Sequence, residues 1–95
     1  MTEKNNPKKK SEVRISASSE KASGEYCNAA AIRHSRSEFI LDFVFRLGNE
    51  GHLVSRVITN PQHAKALLVA LQDNIDKYEK KFGPLAAEAQ PQTLH

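Results

Sequence analysis

The stretch Asn60–Gly83, NPQHAKALLVALQDNIDKYEKKFG, decides the fold, because it spells one long amphipathic helix that the rest of the chain must accommodate. Asn60 is suited to cap the first turn with its side-chain oxygen, and Pro61 follows at the first helical position, where no amide hydrogen is needed. Ala64, Leu67, Leu68, Leu71, Ile75, Tyr78 and Phe82 recur at steps of three and four, which stacks them into one apolar stripe. Gly83 and Pro84 end the helix, and Lys80 and Lys81 sit in its last turn, where the macrodipole favours cations. Asp73 to Lys77 and Asp76 to Lys80 are acid-first pairs four apart and mark a solvated back. Ala66, Val69 and Ala70 form a small apolar shoulder that suits the approach of a second helix.

Working back from the helix, residues 38–59 read as a β-hairpin. Phe39, Leu41, Phe43, Phe45 and Leu47 line one face of the first strand, and Ile40, Asp42, Val44 and Arg46 line the other. Gly48–Gly51 supplies a four-residue turn, and HLVSRVIT returns with Leu53, Ser55, Val57 and Thr59 opposite to Val54, Arg56 and Ile58. Residues 25–35, EYCNAAAIRHS, alternate as an earlier strand. A helix over 26–33 competes for them, and their three alanines are weak strand formers that suit a close approach by another backbone or a helix. The expected architecture is α+β: a three-stranded antiparallel sheet followed by one long amphipathic helix, in two layers, with the Phe39 to Leu47 face on the helix stripe. Val13-Arg14-Ile15 alternates well enough to add a fourth strand.

The ends differ from this middle. Residues 1–24 are rich in Lys, Ser, Glu and Asn and read as a disordered basic tail, residues 25–84 as the domain, and residues 85–95 as a flexible C-terminal tail of which Leu85 is placed to pack back against the helix end. The net charge of +3 is lopsided: residues 1–25 carry six Lys/Arg against four Glu, whereas the remaining residues carry eight against seven acids. A near-neutral domain argues against a dedicated nucleic-acid surface, although Lys8, Lys9 and Lys10 are able to touch phosphates without specificity. Cys27 is the only cysteine and no apolar run approaches a membrane span, so a reducing, cytoplasmic setting is expected.

The ordered spelling Tyr26-x-Asn28, Ser35-x-x-Glu38-Phe39-x-Leu41-Asp42-Phe43, Arg56, Pro61-x-His63-Ala64-Lys65 and Asn74-Ile75-x-x-Tyr78-Glu79-x-x-Phe82-Gly83 resembles the small bacterial and archaeal family called domain of unknown function 3467. The resemblance covers about sixty residues, most specifically in the helix. It implies a small soluble domain without an established activity, and no catalytic residue.

Chemistry-bearing residues are sparse. His34, His52, His63 and His95 form no short ligand pair, and Cys27 and His34 point to different faces of a strand, so no metal or other cofactor is expected. Cys27 lacks an orienting third residue or an oxyanion loop, and Asp42 lacks a second carboxylate; the chain is not expected to be an enzyme. Asp42 beside Arg46 and Arg56 reads instead as an ion pair fixing register or a contact. With one helix for two sheet faces, Ile40, Asp42, Val44, Arg46, Val54, Arg56 and Ile58 remain as an oligomer or partner surface. The expected function is a non-enzymatic, oligomer-forming interaction module, with itself and another protein as partners and no membrane or small molecule. Alternatives are a nucleic-acid accessory protein using Lys8 to Lys10 with Arg33, Arg36 and Arg56, and, by topology alone, a chaperone of the SecB type.

Overall fold

The computed structural model describes residues 12–86 and the backbone of Thr93 and Leu94. The elements run α1 (Ser19–Ser23), β1 (Ala29–His34), β2 (Phe39–Leu47), β3 (Glu50–Thr59), α2 (Pro61–Phe82) and β4 (Thr93–Leu94). The sheet order is β3-β2-β1-β4, with β1 and β3 each antiparallel to β2. The α+β fold class is therefore as expected: an open antiparallel three-stranded sheet followed by a long helix. The fourth strand comes from Thr93–Leu94, which pairs parallel to Ala30–Ala31. Val13–Ile15 adds no strand; Val13 is 78% and Ile15 89% exposed. Within the N-terminal segment Ser18 caps the single turn of α1 by accepting from the Lys21 amide. Lys8, Lys9 and Lys10 lie outside the described residues.

Three local features differ from the sequence expectation, each for a physical reason. The hairpin turn is tighter, with only Gly48 and Asn49 between the strands, and Gly48 at φ +62° supplies the positive φ that a two-residue hairpin turn requires. Strand β1 starts at Ala29 rather than Glu25, because the Asn28 side chain takes over the ladder. Its Nδ2 donates to the Arg46 carbonyl (3.0 Å) and its Oδ1 accepts from the Arg46 amide (2.8 Å), so a side chain does the work of a backbone pair. Finally, β3 carries a bulge: Phe43 faces Ser55 but Val44 faces Leu53, leaving Val54 as the extra residue. Beyond the bulge the alternation reverses. Leu53 thus sits opposite Val44, on the face with Asp42, instead of sharing a face with Ser55 and Val57.

The two layers do not close within one chain. Asn60 caps α2 as expected, accepting from the His63 amide at 2.7 Å, and Gly83 at φ +99° terminates it by donating to the Glu79 carbonyl. Yet no residue of α2 is buried, and Leu68, Leu71 and Phe82 in its stripe are each more than half exposed. The cause is the joint. Asn60 alone separates Thr59 from Pro61, and it is extended (φ −91°, ψ 163°), as a residue before proline prefers. Strand-to-helix connections that fold a helix back onto its sheet commonly need about two to six residues. One extended residue sends α2 away from the sheet instead. The buried residues, Ala29, Leu41, Asp42 and Val44, accordingly lie on the central strand β2 and at the start of β1.

Candidate interaction surface

Cross-strand register assigns the sheet's residues to two faces. On the Leu41 face, Ile32, Leu41 and Val57 form one row across the three strands, flanked by the rows His34-Phe39-Thr59 and Ala30-Phe43-Ser55. None of these three rows contains Asp, Glu, Lys or Arg. His34 stacks on Phe39 with ring centroids 5.3 Å apart, which accounts for this histidine by packing. Tyr26 meets Phe45 edge-on at 6.1 Å.

The Asp42 face is built differently. Asp42 is 7% exposed, flanked by Ala31 on β1 and Arg56 on β3. Arg56 grips it through both oxygens, Nε to Oδ1 at 2.6 Å and Nη2 to Oδ2 at 2.9 Å, and Arg33 Nη2 reaches Oδ2 at 3.4 Å from a diagonal position on β1. Ala31, directly across from Asp42 on β1, is half-buried and carries only a methyl side chain. Both arginine side chains are about half exposed, so they roof a carboxylate that they largely hide from water. The hydrogen bond from Arg56 holds the Asp42 carboxyl below its ordinary pKa against the opposing pull of burial, with the charges of Arg56 and Arg33 adding to it. Reciprocally, the Asp42 carboxylate raises Arg56.

Of the residues expected at a contact, Ile40, Asp42, Val44, Arg46, Arg56 and Ile58 share this face. Asp42 and Val44 are buried, Ile40 half-buried, and Arg46, Arg56 and Ile58 exposed. Val54 departs from the group: as the bulge residue it lines, with Phe43, Ser55 and Cys27, an open cavity of about 280 Å³ beside α1. Arg46 does not pair with Asp42, since four residues along a strand separate them by roughly 13 Å; its Nε donates to the Gly48 carbonyl at 3.0 Å. Arg33 and Leu53 also belong to this face. Nothing in the spelling fixes the register that brings Arg33 to Asp42 or announces a bulge at Val54.

Cys27 is half-buried in the Val54 cavity, no three of His, Cys, Asp and Glu converge among the described residues, and none of the described helices is long and apolar enough to cross a membrane. What the fold offers is surface. The family model "Protein of unknown function (DUF3467)" matches residues 1–87. The chain belongs to this family. No curated protein and no solved structure matches it. The DUF3467 spelling now has physical content: Asn28 is the ladder-extending amide, Asp42 and Arg56 are the ion pair, and Asn60 before Pro61 is the capped joint.

Proposed function

We propose that this DUF3467 protein acts as a non-enzymatic interaction module of the cytoplasm that works as an assembly of its own copies and presents the Asp42 face to another protein. The exposed apolar stripe of α2 carries the reading. Of the seven apolar residues aligned over about 33 Å of helix, Leu67, Leu68, Leu71, Tyr78 and Phe82 are exposed and none is buried among the described residues, and soluble proteins seldom leave such a stripe in water. A nucleic-acid role has less behind it, because two of the arginines it would use, Arg33 and Arg56, are spent on Asp42.

Solution mass by light scattering tests the proposal on the intact protein and on a Leu68→Glu, Leu71→Glu variant. Both leucines are more than half exposed in the single chain, so the change costs the isolated fold little. The intact protein is expected to contain two or more copies and the variant one, with its helical circular dichroism retained. A single-copy mass for the intact protein throughout the micromolar range would overturn the reading.

A further inference from the structure

Resting on the self-assembly proposed above, we infer that α2 of one copy lies along the Leu41 face of a second copy and that the second helix is returned in kind, closing a two-fold dimer. The occupant of the open sheet face is thus a second copy of this chain, and each copy completes the layer that the other cannot close.

Four observations lead there. First, the chain possesses both halves of a helix-on-sheet pair, and the one-residue Asn60 joint keeps them apart in the same copy. Exchange between two copies satisfies both halves and leaves neither exposed, whereas a head-to-tail arrangement would leave ends open. Second, the faces differ in charge. The three rows around Leu41 bear no Lys, Arg, Asp or Glu, while the opposite face bears Arg33, Asp42, Arg46 and Arg56. Laying leucines over those guanidinium groups would strip their water without returning a hydrogen bond; laying them over Ile32, Leu41 and Val57 strips none. Ile32 and Val57, each 42% exposed, flank the buried Leu41 as a shallow apolar row ready for a ridge of helix side chains.

Third, the areas match. A helix about 33 Å long and about 10 Å wide covers roughly 330 Å². One face of three strands, about 30 Å long and spaced about 4.8 Å apart, covers roughly 400 Å², of which the Phe43 and Ser55 end is shared with Glu20 and Lys21 of α1 across the Val54 cavity. Each copy contributes one of each, close to the ~800 Å² per partner of a stable interface. Fourth, the rival pairing of helices through Ala66, Val69 and Ala70 would occupy the shoulder of α2 and leave the Leu41 face bare.

Neighbouring residues on opposite faces provide the test. Val57→Glu places a charge on the Leu41 face, and Ile58→Glu, one residue later and 56% exposed, places it on the other. Light scattering is expected to give a single-copy mass for Val57→Glu and the intact dimer mass for Ile58→Glu. The reverse pattern, or dissociation by neither, overturns the inference while leaving self-assembly standing; a single-copy intact protein removes both. Because Val57→Glu could also unfold the sheet, a photoreactive benzoylphenylalanine in place of Leu71 supplies an independent readout. In a mixture of isotopically light and heavy protein, light-to-heavy cross-links to Ile32, Leu41 or Val57 are expected. Cross-links confined to residues 61–82 of the second copy, or to Ile40 and Ile58, would overturn the inference.

Discussion

Asp42 occupies the middle of the central strand, where an aliphatic residue would pack as well, and two arginines from both neighbouring strands are committed to it. Its folded pKa lies below the unfolded value of about 3.9. The unfolded chain therefore binds more protons in the interval between the two values, and the stabilisation is present in full above pH 4 and lost as pH falls through the folded value. Asp42→Asn is expected to lower the melting temperature at pH 7 and to flatten the acid limb, so that the two proteins converge as pH falls through the folded value of Asp42. Melts by circular dichroism from pH 2.5 to 7 check this, and parallel acid limbs would show that the pair contributes nothing through its charge. The same pair fixes alignment: Asp42 meets Arg56 only in the register upstream of the bulge, where Phe43 faces Ser55.

Among the elements, α2 has the clearest start. Its cap is a single short hydrogen bond from the His63 amide to Asn60 Oδ1, and Asn60→Ala is expected to cost about 1 kcal/mol, with Asn60→Asp nearly neutral. Helicity at 222 nm and the melting temperature of the three proteins measure the difference. Such caps were legible in the sequence, as were the hairpin, the three antiparallel strands and the exposed back of the helix, where Lys77 does pair with Asp73 at 3.0 Å. These depend on residues within a few positions of each other. The bulge at Val54 was not legible, because it depends on what Val44 meets across the sheet, where a Cβ added to Gly51 would come within 3.1 Å of Val44 Cγ1. Nor was the fourth strand, which pairs residues more than sixty positions apart. Periodicity read the helix stripe correctly as one continuous apolar face, but the expected packing of the Phe39 to Leu47 sheet face on that stripe does not occur within the chain, because periodicity carries no information on the one-residue joint. The partner residues of Asp42 were half legible, since alternation put Arg46 and Arg56 on its face but could not rank them, and Arg33 lies on another strand whose register to β2 the spelling does not fix.

At the scale of the whole molecule, the fold is a sheet and a helix held together by one residue, Asn60, rather than by a shared core. Amide hydrogen exchange turns that joint into a measurable quantity. A 22-residue helix with no buried residue has little beyond its own marginal cooperativity to protect its amides, whereas those of β2 are bonded on both sides by β1 and β3. Protection factors along Ala64–Tyr78 are therefore expected to climb as protein concentration is raised across the association range, while those of Leu41–Phe43 change far less. Exchange that is concentration-independent throughout α2 would mean that the helix is protected by its own chain alone. If the proposed assembly forms, the one-residue joint makes the protein a two-clock molecule, in which the sheet keeps time by itself and the helix keeps time by the company it is in.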